Sequence, residues 1–125
     1  MEFPEALRYT AEHEWIQIDG DIATIGITDF AQDALGDVVY VAPASVGDSV
    51  AIGANVAEVE STKSVSEIYA PLSGIITERN TALDDAPELI NQQPYGDGWI
   101  LKLQLSDTAE VDQLLSSDAY ANLVN

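Results

Sequence analysis

The sequence predicts a mainly β protein, an antiparallel sandwich or flattened barrel of short strands, with short helices and a helical segment at the C-terminal end. Three observations lead there. Short β-prone runs recur along the chain, separated by glycine, proline and aspartate turns. No βαβ rhythm and no phosphate-binding glycine loop interrupts them. From Ser106 the apolar spacing changes from period two to a helical period. With 125 residues, 46% of them hydrophobic, the chain fits one domain over 1–125 and can bury a useful core.

Taken in order, Leu7 to Thr10 leads through Ala11-Glu12-His13-Glu14-Trp15 into Ile16-Gln17-Ile18. Asp19-Gly20 separates that run from the β-rich Asp21 to Ile27, and two such runs around Asp-Gly make the strongest hairpin signal in the chain. Thr28 is expected to cap a short helix from Asp29 to Leu35, with Asp29 at the positive end of the helix dipole and Gly36 at its stop. Phe30, Ala34 and Leu35 are its expected buried side. Asp37 to Val41 reads as a strand that Pro43 ends, and Val46 to Val50 and Ile52 to Val56 as strands or turns broken by glycine. Gly74 to Glu78 is another strand. Thr81 to Asn91 is a loop with one helical turn, since Pro87 suits a first helical position. After the turn cluster Pro94 to Gly98, Trp99 to Leu105 is the last strand, with Lys102 facing solvent. Helices are expected over about 107–124, the first with Val111, Leu114 and Leu115 on one face, the second carrying Tyr120, Leu123 and Val124.

One stretch stands apart. From Val56 to Pro71, two β-prone runs flank Ser61-Thr62-Lys63-Ser64, which predicts a hairpin with Lys63 at an exposed tip. The chain has four basic residues, of which only Lys63 and Lys102 are lysines. A lysine at a hairpin tip is most often a solvated charge. Between small neighbours it is also a good acylation target, because a modifying enzyme can close around it. Spacing alone leaves both readings open.

Charge and composition exclude several functions. Twenty-two acids against four bases give a formal net charge of -18, which argues against nucleic acid and against anionic membranes. No cysteine means no disulfide framework and no thiolate chemistry, so any redox work must come from an attached group. No apolar run reaches membrane-spanning length, and the acidic start Met1-Glu2-Phe3-Pro4-Glu5 is unlike a signal peptide; a chain complete in this form would stay in the cytoplasm. His13 is the single histidine, no serine stands in a nucleophile elbow, and the acid pairs Glu12/Glu14 and Asp84/Asp85 lack calcium-loop spacing. Trp15, Trp99 and the tyrosines read mostly as core. The residues therefore compose an acidic β module without catalytic apparatus of its own, and not an enzyme.

The segments Tyr9 to Trp15, Gly26 to Asp37, Glu60-Ser61-Thr62-Lys63-Ser64, Pro71 to Gly74, and Asn91 with Pro94 to Trp99 carry a close resemblance to the glycine cleavage H-protein family over about Leu7 to Tyr120. The resemblance implies a lipoyl/biotinyl-carrier-like hybrid fold and lipoate attached to Lys63 as N6-lipoyllysine. Thr62 and Ser64 stand where the family usually has Val and Ala. The flanking methionines of biotin carriers are absent. Glu60 and Gly74 match positions implied in recognition by the lipoate-attaching enzyme. The implied function is a monomeric shuttle that takes an aminomethyl group from glycine decarboxylase to the aminomethyltransferase and electrons to dihydrolipoyl dehydrogenase. A surface cleft near Glu12, His13 and Glu14, with Glu67 in support, is implied to receive the loaded arm, Glu14 being the first choice to hold its ammonium. A lipoyl relay to other lipoyl domains, or an unmodified acidic interaction module, are the alternatives.

Overall fold

The computed structural model describes residues 1–124. Nine strands form two antiparallel sheets. The larger contains β1 (Arg8–Tyr9), β2 (Glu14–Asp19), β3 (Ile22–Ile27), β5 (Ser49–Val50), β8 (Gly74–Arg79) and β9 (Leu101–Leu105), in the order β1-β2-β3-β9-β8-β5. The smaller contains β4 (Val38–Pro43), β6 (Asn55–Ser61) and β7 (Val65–Tyr69), in the order β4-β6-β7. The arrangement is a sandwich rather than a closed barrel, and among the described residues one edge of β7 has no strand partner.

Alternation along these strands builds the core. Ile16, Ala23, Ile25, Leu101 and Leu103 of the larger sheet pack with Val38, Val41, Val59 and Ile68 of the smaller. Burying one such side chain stabilises the fold by roughly 1.5–3 kcal/mol. Asp19-Gly20 makes the predicted hairpin: Asp19 pairs with Ile22, and Gly20 takes the positive φ of 63° that the tight turn needs. A second apolar cluster, Leu7, Tyr9, Trp15 and Tyr120, lies outside the main core. Tyr9 and Tyr120 stack at 4.9 Å, and Gly26 makes room for the Trp15 indole, whose ring lies 2.5–2.7 Å from where a Cβ would stand.

Helix α1 (Asp29–Leu35) is capped as predicted, Thr28 Oγ1 accepting from Ala31 N and Gly36 closing the end at φ 82°. Its expected buried side is corrected: Ala34 is exposed and Phe30 is half-buried, while Ala31 and Leu35 rest against the core. The apolar stripe of α1 faces an open cleft. Two short helices replace the single expected turn, α2 (Ala82–Asp85) and α3 (Leu89–Gln92), with Pro87 ahead of the second. At the C-terminal end, Thr108–Gln113 is a 3₁₀ helix, and α4 spans Ser117–Val124. Leu115 is not on a helix face: it bridges to Tyr9 in extended backbone. Leu123 is exposed, whereas Tyr120 is fully buried.

Candidate functional site

The hairpin of β6 and β7 places Lys63 at an exposed tip. The tip needs no Asn-Gly because Ser61 closes it. The Ser61 hydroxyl donates to Ser64 O at 3.2 Å and accepts from the amides of Lys63 at 3.2 Å and Ser64 at 3.1 Å. Backbone adds Ser61 N donating to Ser64 O at 2.8 Å. Among the described residues Lys63 has no ion pair. Lys102 is engaged instead, 3.8 Å from Glu78 Oε2 and 5.1 Å above the Trp99 ring. The two lysines are thus held in opposite ways, one anchored along a strand and one projecting.

From the tip the lysine stem runs over Gly36. A Cβ there would stand 2.8 Å from Lys63 Cε, and the φ of 82° at Gly36 is one that residues with a side chain rarely adopt. An apolar cleft of about 220 Å³ is lined by Phe30, Ala31, Ala34 and Leu35 of α1, by Ser66 and Ile68 of β7, and by Glu12, His13 and Ile27. A larger cleft of about 320 Å³ shares Glu12 and is walled by Thr10, Glu14, Tyr69 and Leu114 among others. Both clefts are mostly apolar and meet at Glu12, with Glu14 in the wall of the larger, so apolar walls and carboxylates stand together there.

Glu14 is the chemically distinctive residue. It is the first residue of β2 and shares a face with Ile16, so its side chain turns into the protein, and it is 1% exposed. Oε1 accepts from Thr10 Oγ1 at 2.7 Å, and Oε2 accepts from Tyr69 N at 3.4 Å, on the open edge of β7. Burial raises its pKa above the ordinary carboxylate range; the two hydrogen bonds oppose that rise, and nearby Glu12 adds to it. A cation entering the larger cleft would favour the ionised carboxylate.

The other sequence-predicted residues fall as follows. His13 occupies a left-handed backbone position, φ 72°, which closes the turn before β2. Its Nδ1 is hydrogen-bonded to Tyr120 Oη at 2.8 Å, and its ring lies 4.9 Å from Phe30, so it forms a wall of the cleft. Glu12 is exposed between the two clefts. Glu67 lines neither; it is exposed and accepts from Tyr69 Oη at 2.8 Å, which raises the pKa of that phenol. Glu60 is half-buried beside the tip, paired with Tyr40 and Val65. Gly74 is buried in the other sheet, and a Cβ on it would stand 2.3 Å from Gln104 O. Strand packing therefore accounts for this glycine.

The roles of several residues of the site are not legible in the sequence. Thr10 and Tyr69 hold Glu14, and the α1 stripe floors the groove. That stripe reads in the sequence as an apolar helix face, for which the spacing predicts burial in the core. Asn91 holds the turn next to Lys63 through contacts 53 to 59 positions distant, which local pattern does not reveal.

Comparison with known proteins agrees in extent and kind. The sequence model of the family described as Glycine cleavage H-protein matches residues 7–125. The glycine cleavage system H protein of Listeria monocytogenes is 50% identical over 125 residues, covering 100% of each chain. That of Symbiobacterium thermophilum is 54% identical over 117 residues, 94% of this chain and 91% of the relative. The crystal structure of a glycine cleavage system H protein from Mycobacterium marinum superposes with a TM-score of 0.88 at 44% identity, covering 96% of this chain and 97% of that one.

Proposed function

Since the chain belongs to the glycine cleavage H-protein family, we propose that Lys63 is the residue on which it carries lipoate. The protein is a lipoyl-carrying shuttle of the glycine cleavage system, a non-catalytic component that works with the system's other members. When bound, the oxidised dithiolane supplies the acceptor for the one-carbon amine unit, and its reduced form supplies electrons. The chain's own residues present, steer and shelter that arm.

The observation that carries the assignment is the contrast between the two lysines. Lys63 projects from a closed tip with its stem over Gly36, whose neighbour Leu35 lines an apolar groove, whereas Lys102 lies against Trp99 and Glu78. Glu60, beside the tip, is positioned for reading by a lipoate-attaching enzyme. Gly74 contributes to that recognition only through the fold. In the larger cleft Glu14 holds the ammonium of the cargo, with Glu12 where the two clefts meet and His13 in the wall of the smaller. Glu67 acts at one remove, by anchoring the Tyr69 ring. Tethering on a fixed tip raises the effective concentration of the arm at each partner. The partners in this reading are glycine decarboxylase, aminomethyltransferase, dihydrolipoyl dehydrogenase and the lipoate-attaching enzyme, and the compartment is the cytoplasm. No helix among the described residues is long and apolar enough to cross a membrane.

Peptide mass mapping of the protein from its native host tests the assignment, with one lipoyl group expected on Lys63. Lys63→Arg should fold within about 0.5 kcal/mol of the parent, as exposed substitutions do, yet support no glycine cleavage. A lipoyl group on Lys102, or on neither lysine, would sink the assignment.

A further inference from the structure

We propose that Asn91 is a positioning residue for the lipoyl lysine, acting through the Gly36–Val38 turn on which the hairpin tip rests. The inference builds on Lys63 as the carrier residue. Asn91, in α3, directs its side chain at both ends of that turn. Oδ1 accepts from Val38 N at 2.9 Å, and Nδ2 donates to Gly36 O at 2.9 Å and to Gln32 Oε1 at 3.0 Å. The amide can sit only this way round, because Val38 N–H can only donate and Gly36 C=O can only accept. The three bonds tie α3 to the end of α1 and to the start of β4.

The clamped turn then holds the tip. Thr62 N donates to Asp37 O at 3.0 Å, the residue between the two clamped groups. Lys63, the next residue, lays its stem across Gly36, where a Cβ would meet its Cε at 2.8 Å. Gly36 has φ 82° and ψ −159°, a backbone region open essentially to glycine alone. Its carbonyl is one of the two turn groups that Asn91 grips. One side chain thus sets the shelf under the lysine, the tie to the preceding residue, and the direction in which the arm leaves the tip. Leu35, the residue before Gly36, and Ser66, three positions after Lys63, line the apolar groove along α1, which sets the groove beside this turn. Nothing in a strand or helix pattern requires an asparagine here, and the aliphatic stem of Lys63 would have no fixed lane without the turn it secures.

The test uses the full chain in two states. Without lipoyl, amide hydrogen exchange is followed at Thr62 and, as reference, at Val59 and Ile68 in the hairpin stem. With lipoyl attached and reduced, alkylation of the dithiol by a maleimide is timed. Asn91→Ala and Asn91→Asp should each speed exchange at Thr62 about tenfold, on the scale of one lost hydrogen bond, and leave Val59 and Ile68 unchanged. Dithiol alkylation should become several-fold faster as the arm spends less time in the groove. Asn91→Asp keeps the acceptor for Val38 N but loses both donations, so it remains informative should the alanine variant fold poorly. Ile90→Val, a core truncation one residue away, should lower the melting temperature comparably and change neither reading. Parental Thr62 exchange and alkylation in the Asn91 variants would overturn the inference while leaving the carrier reading intact. So would equal increases in Ile90→Val. A parent chain bearing no lipoyl group at Lys63 is a separate result, which removes the carrier assignment and this inference together.

Discussion

Replacing Glu14 by glutamine should shorten the life of the loaded arm. The carboxylate is 1% exposed, is held by Thr10 and the Tyr69 amide, and faces the larger cleft next to the apolar groove. An aminomethyl group on sulfur decomposes in water to ammonia and formaldehyde, and its amine is protonated at neutral pH. A charge-assisted hydrogen bond to a shielded ammonium is worth about 1.5–3 kcal/mol. Glutamine keeps the shape and a neutral acceptor; if half of the interaction survives, about 0.7–1.5 kcal/mol is lost. At 1.36 kcal/mol per tenfold, release should accelerate about 3- to 13-fold. The assay loads lipoylated protein with the aminomethyl group, removes the enzymes, and follows ammonia and formaldehyde. Equal release from Glu14→Gln and the parent would refute the role given to Glu14, while Lys63 would remain the carrier.

The same substitution has a pH signature in the unloaded protein. Burial raises the folded-state pKa of Glu14 above 4.5, so the folded chain retains a proton that the unfolded chain releases, and stability falls as pH rises from about 4.5 toward the raised pKa. Glu14→Gln lacks that loss: its melting temperature relative to the parent should climb over this window and converge with it below, and a gap that narrows as pH rises would contradict the burial argument. With a net charge of -18 and two ion pairs among the described residues, Arg79–Asp84 and Lys102–Glu78, the melting temperature should rise from low to moderate sodium chloride. A fall would mean that specific pairs outweigh general repulsion. Gly74→Ala forces a Cβ against the Gln104 carbonyl and should cost about 1–3 kcal/mol or more in thermal unfolding, while its folded fraction is lipoylated at the parental rate; a stable but unlipoylated variant would make Gly74 a recognition residue after all.

What the sequence determined by itself about this protein is whatever a few neighbouring residues settle among themselves. The Asp19-Gly20 hairpin, the Thr28 cap with its Gly36 stop, the alternation that builds the sandwich, and the projection of Lys63 between two β-prone runs all rest on contacts within a few positions. Tertiary structure decided what each surface meets. Phe30 and Ala34 have the spacing of a core face, yet a cleft separates that face from Ser66 and Ile68 of β7, so the stripe forms a groove wall. Leu115 fitted a helical period but pairs with Tyr9, because that backbone bridge and the aromatic cluster reward an extended chain more than the 3₁₀ helix before it. The resemblance points to Glu14 as an acid of the cleft; its near-complete burial, which raises its pKa, and the opposing bond from Tyr69 N, 55 positions later, are products of the fold alone. Asn91 is the furthest from local legibility. An asparagine side chain can satisfy turns almost anywhere, and which turn it grips is set by how α3 packs beside α1, a long-range contact that composition and periodicity do not encode.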